Sequence, residues 1–171
     1  MERPQTGEYN EYYDRYISLV SESDLTGVLA SQPTELQDIF TPLSETDALF
    51  AYEPAKWTMK EVVGHIIDCE RIFAYRALRI SRGDATPIEG FEQDDYIAYG
   101  RANERAAADL LEEFKLLRRA NLLMFNHMNN DDLLRTGTAN GDPISVRAIA
   151  FIMAGHVRHH ANILRERYLR R

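Results

Sequence analysis

Four stretches of this chain place apolar residues at the 3.6-residue period of an amphipathic helix, and no run of four or more residues between turn signals alternates cleanly as a half-buried strand does. The pattern predicts an all-α protein. With 171 residues in total, four long helices, one long connection and a terminal arm use up the chain. That size suits one domain over residues 1–171, able to fold without disulfide or metal staples.

Residues 1–20 carry Tyr9, Tyr12, Tyr13 and Tyr16 and are expected to form an extended arm with a short helical turn laid on the body. The first long helix starts near Asp24, with Leu25, Leu29, Leu36, Ile39 and Phe40 on one stripe. Pro33 lies inside it and should kink or split it, because proline removes an amide donor and clashes with the preceding turn. The second helix opens on the clearest start signal in the chain. Thr58-Met59-Lys60-Glu61 is a capping box, with Trp57 and Val62 placed as a hydrophobic staple. Its stripe, Val62, His65, Cys69, Ile72, Phe73 and Arg76, runs to about Ile80.

Arg82 to Gly100 contains Gly83, Pro87 and Gly90 and shows no helical period. Extended, such a connection reaches about 60 Å, against roughly 35 Å for a helix of about 23 residues. It can return along the whole bundle and leave the second and third helices parallel. The third helix, about Ala102 to Met128, carries Leu110, Phe114, Leu117, Asn121, Met124 and Met128 on one face, with a polar break at Asn121. Asn140-Gly141 is the strongest turn dipeptide. The fourth helix starts at Ser145 as N-cap, with Ile144 and Ile149 at staple positions, and continues nearly to the end along Ile149, Ile152, His156, His160 and Ile163.

Charge and cysteine usage narrow the function classes. A net charge of −7 opposes binding to phosphate backbones or anionic membranes. The single cysteine, Cys69, excludes a disulfide within the chain and any multi-cysteine metal site, so histidines and carboxylates must supply the ligands if a metal is bound. The N-terminus lacks the basic-then-apolar order of a signal peptide, and the longest apolar stretch, Ala148 to Gly155, is far short of a membrane span. A cytoplasmic protein without nucleic-acid or membrane partners is the expectation.

Within Gly155-His156-Val157-Arg158-His159-His160, the i,i+4 spacing of His156 and His160 puts two imidazoles on one helical face, about 6 Å apart at Cβ. His65 offers a third from the facing stripe. Three neutral imidazoles form an uncharged ligand set that leaves coordination positions open, the pattern of catalytic sites, and they suit Zn²⁺ or Ni²⁺ first, with Fe²⁺ or Cu²⁺ also compatible. Asp68, one turn after His65, is a candidate outer acceptor or weak additional ligand. Glu61 and Glu70 could instead pair with arginines. The competing reading makes the three histidines ordinary core residues. Three unpaired polar rings in one core would each cost about 1–3 kcal/mol, a conflict that a shared ion removes. His159 is read as a rim residue, His127 as surface, Cys69 as a small core residue rather than a nucleophile, and Arg76 as the partner of a carboxylate. Asp84, Glu89, Glu92, Asp94 and Asp95 form a solvated acidic loop or a lid over the site.

The stretch Trp57-Thr58-Met59-Lys60-Glu61-Val62-Val63-Gly64-His65-Ile66-Ile67-Asp68 through Glu70-Arg71, the segment Gly90-Phe91 to Tyr96, and Gly155 to His160 closely resemble the DinB/YfiT-like superfamily of metal-dependent enzymes, over about residues 20 to 168. The resemblance implies a four-helix bundle of up-down-down-up connection with the long crossover between helices two and three. It implies a metal triad of His65, His156 and His160, and a homodimer acting on a small-molecule substrate. It further implies an enzyme that is either a hydrolase or an S-transferase using a low-molecular-weight thiol, the metal activating water or the thiolate. In the transferase version Arg76 and Arg158 are candidates for the cofactor's carboxylates. The alternative from a different class is a non-catalytic helical protein that binds a ligand or a metal.

Overall fold

Capping side chains set the helix starts in the computed structural model, which describes residues 1–169. A 3₁₀ turn at Glu11–Tyr13 leads into a short α1 (Asp14–Ile17). Asp24 then accepts from the Gly27 amide at 3.0 Å to open α2 (Leu25–Phe40), and a Ser44/Asp47 capping box opens the one-turn α3 (Glu45–Ala48). The box expected at Thr58 is present in both directions, with Glu61 N to Thr58 Oγ1 at 3.1 Å and Thr58 N to Glu61 Oε2 at 2.7 Å, and it starts α4 (Met59–Ser81). The crossover carries α5 (Gln93–Gly100), followed by α6 (Ala107–Asn126) and α7 (Asn130–Leu134). A hairpin of β1 (Thr136–Ala139) and β2 (Asp142–Ser145) precedes α8 (Val146–Ile163), whose N-cap is Ser145. A π-helical turn, Leu164–Tyr168, ends the described chain.

Contacts along the helices fix their directions. Lys60 donates to the Arg105 carbonyl at 2.7 Å, and Asn121 reaches Glu70 at 2.8 Å, so α4 and α6 run parallel. α8 opposes α4: Phe73 lies against His156, His65 meets both His156 and His160, and Tyr168 donates to the Trp57 carbonyl at 2.7 Å. α2 also opposes α4, because Leu25 and Leu29 share a core cluster with Phe73 and Phe125 while Leu36 and Ile39 share one with Met59, Val62 and Leu110. The result is an up-down-down-up four-helix bundle, with α2 and α4 each packed against both α6 and α8.

The two apolar clusters are separated by a polar seam. Within it Arg118 of α6 makes a bidentate ion pair with Glu70 of α4, both nitrogen–oxygen distances 2.8 Å and both side chains buried. Arg118 Nη1 also donates to Gln32 Oε1 at 2.6 Å, and Gln32 Nε2 donates to the Ala154 carbonyl at 2.6 Å. All four long helices are thereby tied at one level. The polar break at Asn121 belongs to the same network, as a donor to Glu70.

Three expectations gain detail. α2 is not split at Pro33: the proline takes a donor from the Leu29 carbonyl four residues earlier, and Arg118 Nη1 replaces it at 3.1 Å. The acidic crossover contains α5, which has no buried residue and hence no apolar stripe for a period to betray. The chain is all-α apart from the β1/β2 hairpin, whose strands pass from exposed to buried ends instead of alternating and so give no strand signal. The hairpin turns on Asn140 and Gly141, both with positive φ (54° and 83°), the geometry that makes Asn-Gly favourable there. Ile88 bridges its edge, donating to the Thr138 carbonyl and accepting from the Asn140 amide at 2.9 and 2.8 Å, which anchors the start of the crossover.

The N-terminal segment lies on α8. Gly155 permits this approach, since a Cβ there would fall onto the Tyr16 carbonyl. Glu8 fastens the segment's start, accepting from Ser145 Oγ at 2.7 Å and from both Nε and Nη2 of Arg147.

Candidate metal centre

Where the seam meets the α4/α8 interface, three imidazoles converge. His65 comes from the second turn of α4, and His156 and His160 come from successive turns of α8. His156 Nε2 lies 3.0 Å from His65 Nε2 and 3.1 Å from His160 Nε2. Their side chains are buried, at 4%, 4% and 8% exposure. Trp57 packs against His65 with ring centroids 4.8 Å apart, and Tyr16 and Phe73 meet the His156 ring edge-on at 5.3 and 6.0 Å. These contacts hold the rings and shield their flanks.

Burial pushes the His65 pKa down to about 4 and holds those of His156 and His160 well below the usual imidazole value; the neighbouring rings add to the effect, as does the Arg118 charge at His156. All three are neutral near pH 7. A neutral imidazole has one N–H, so His156 Nε2 can donate to only one of the two Nε2 atoms facing it. Neutral lone pairs brought this close suit a cation. Ligands about 2.05 Å from a tetrahedral ion stand roughly 3.3 Å apart, close to the two separations made by His156; the donors that all lie within 4.8 Å of one another are His65, Cys69 and His156, and His160 joins them through His156.

Cys69, one turn beyond His65, is the donor that the sequence reading left in the core. Its Sγ is 3.6 Å from His65 Nε2, and His65, Cys69 and His156 form one buried group of ligand-type atoms. Burial raises the thiol pKa to about 12, which keeps it protonated. The i,i+4 spacing from His65 was the signal available for it.

Two cavities reach the histidines. One, of about 520 Å³, is walled by Tyr12, Tyr13 and Tyr16 of the N-terminal segment, by the crossover at Gly90 to Asp94 and by the hairpin, with His65, Cys69 and His156 among its lining. The other, of about 300 Å³, touches His160 from the side of Trp57 and Tyr168. Gln93 and Asp94 line both, so the first turn of α5 stands between the two mouths. The tyrosine-rich arm and part of the acidic crossover are thus walls of the site.

The remaining residues singled out by sequence fall elsewhere or take other partners. Asp68 is half-buried, its pKa raised by burial, and lines a separate small cavity with Gly64, Tyr96, Ile97 and Ala102. Glu61 completes the α4 capping box and accepts from Asn103 at 2.9 Å, and Glu70 pairs with Arg118. His159 stacks edge-on against Tyr16 at the rim, while His127 is exposed, its Nδ1 2.7 Å from the Leu123 carbonyl. Arg158 is taken by Glu22, with both distances 2.9 Å, and by the Leu19 carbonyl. Asp84 is held by Arg79 at 2.6 Å. Arg76 does not have the carboxylate partner expected of it: its guanidinium donates from Nη2 to the Glu89 carbonyl at 3.1 Å and hydrogen-bonds the Tyr13 hydroxyl, and its buried Nε has no partner among the described residues.

A parallel-middled four-helix bundle with three buried imidazoles meeting at one helix interface beside a cavity defines a class of helical proteins that carry a cluster of metal-type donors. Residues 29–164 match the family model of the DinB superfamily, and the chain belongs to that superfamily. Among solved structures, the chain is similar to YfiT from Bacillus subtilis, with a TM-score of 0.78 and 16% sequence identity over 99% of this chain and 93% of that one. That protein is described as a probable metal-dependent hydrolase with an unusual four-helix bundle topology. No curated protein sequence matches the chain.

Proposed function

We propose that the protein is a metal-dependent hydrolase of a small-molecule substrate, with one divalent cation held by His65, His156 and His160. The observation that carries this reading is the approach of two neutral Nε2 atoms, of His65 and His160, to within 3.0 and 3.1 Å of that of His156. A divalent ion there supplies Lewis-acid activation of a water molecule. The imidazoles bring no charge, so the ion keeps its full positive charge. Trp57, Tyr16 and Phe73 hold the ligand rings in place and keep bulk water from their flanks. Three imidazoles favour zinc or nickel, with iron next. The description of YfiT as a hydrolase supports the same reaction class.

A second reading, transfer to or from a low-molecular-weight thiol, is favoured by the paired cavities. Two spaces that meet the histidines from opposite sides of α5 suit a bulky thiol cofactor in one and its electrophile in the other. Turnover assays separate the readings. Metal-loaded protein is offered a panel of esters and amides, and in parallel a chloro-dinitroaromatic with several thiols. Cleavage of the former without thiol dependence supports hydrolysis; turnover only with a thiol supports transfer. A stoichiometrically loaded protein inert in both would support the non-catalytic binding protein.

A further inference from the structure

We infer that Arg76 anchors a carboxylate group of the molecule that enters the 520 Å³ cavity. The inference rests on the metal-site reading in one respect: it puts the reacting end of that molecule at the histidines.

Arg76 is only 2% exposed and lines the cavity together with His65 and His156. A buried guanidinium is costly unless paired, yet among the described residues it has no ion-pair partner. The Glu89 carbonyl takes Nη2, and Nε is buried without an acceptor. The Tyr13 hydroxyl accepts a hydrogen bond from Arg76, whose charge and hydrogen bond offset part of the upward pKa shift that burial gives the phenol, but a neutral hydroxyl leaves the positive charge in place. A planar fork with an unused donor is the geometry that takes a carboxylate through parallel hydrogen bonds.

Charge selects among anions. Besides Arg76, the Asp, Glu, Lys and Arg side chains on the cavity wall are all carboxylates: Glu92, Asp94 and Asp142, the last accepting from Asn10 at 2.9 Å. One guanidinium beside three carboxylates favours a monoanion over a dianionic phosphate. Distance sets the size. The Phe73 ring centroid lies 6.0 Å from Arg76 Cζ and 6.0 Å from the His156 ring, so guanidinium and imidazole are at most about 12 Å apart. The matching ligand is a short carboxylic acid, of amino-acid to dipeptide length, whose other end is polar and reactive.

Isothermal titration calorimetry on the metal-loaded protein tests this with the monohydroxamate of succinic acid, its uncharged methyl ester and the corresponding phosphonate. The acid is expected to bind at least tenfold more tightly than the ester and more tightly than the phosphonate, and R76M and R76Q are expected to bring acid and ester within twofold of each other. Should both variants fail to fold, the wild-type comparison stands, and the Arg76 Nε–H resonance is expected to move on titration with the acid but not the ester. Equal affinity for acid and ester, a preference that survives in R76M, or tighter binding of the phosphonate would overturn the assignment. Failure of the metal reading looks different: acetohydroxamate then does not bind, while succinate still moves the Arg76 resonance.

Discussion

His65 and His156 stand 91 residues apart in the chain, and their Nε2 atoms stand 3.0 Å apart in the fold. Two antiparallel helices, each started by a capped N-terminus, bring them together, and His160 follows from its place one turn after His156. The pair lies in the polar seam of the bundle, beside the Glu70–Arg118 network rather than within either apolar cluster. That location gives the rings rigid support from packed helices on both sides of the seam.

Arg118 serves three acceptors at once: the Glu70 carboxylate, Gln32 Oε1 and the Leu29 carbonyl that Pro33 deprives of its usual donor. Removing it leaves a buried charge uncompensated, so R118M is expected to lower unfolding stability by about 3–5 kcal/mol. The double variant E70L/R118M should recover much of that loss, because no buried ion remains. Chemical denaturation of the three proteins checks this; a double variant as unstable as R118M would contradict it.

The junction between the N-terminal segment and α8 is acid-sensitive. Arg147, through its hydrogen bonds and charge, lowers the Glu8 pKa from 4.5 to about 2, against the opposing effect of burial. The folded value lies below the unfolded one, so this ion pair contributes its full stability above about pH 4.5 and loses it as the pH falls toward 2. At most about 3 kcal/mol is at stake. E8Q should therefore be less stable than the native protein at pH 7, and the difference should shrink steadily as the pH falls from about 4.5 to about 2. Unfolding midpoints measured across that range would show parallel curves if the pair were energetically idle.

Cys69 tests how many protein ligands the cation has. With three imidazoles sufficient and its thiol held protonated by burial, C69S is expected to keep the same metal content, and cobalt-substituted native protein to show no sulfur-to-cobalt charge-transfer band. Loss of metal from C69S together with such a band would make the site one of two or three histidines and a thiolate.

What the sequence made legible was local. The capping side chains of Thr58 and Ser145, the helical period and the i,i+4 histidine pair are each set by neighbours within a turn or two, and each stands where the spacing placed it. Asn121 was visible as a polar interruption, but Glu70, its reason for being there, lies across an interface. α5 escaped because an exposed helix buries no stripe, and the hairpin because its two strands do not alternate between buried and exposed positions. The tyrosines of residues 12–16 were conspicuous in composition, yet their role as a cavity wall depends on docking against α8. Arg76 reads as half of an ion pair, since buried arginines usually are; only the fold shows that, among the described residues, a backbone carbonyl and no carboxylate meets it.

The direct measurement is metal content. Untagged protein purified without chelators and analysed by inductively coupled plasma mass spectrometry is predicted to carry one divalent transition metal per chain, and H65A, H156A and H160A are predicted to lose at least nine-tenths of it while keeping native helicity by circular dichroism. Native protein that refuses added zinc, nickel and iron, or histidine variants that bind them as the native protein does, would contradict the three-histidine centre.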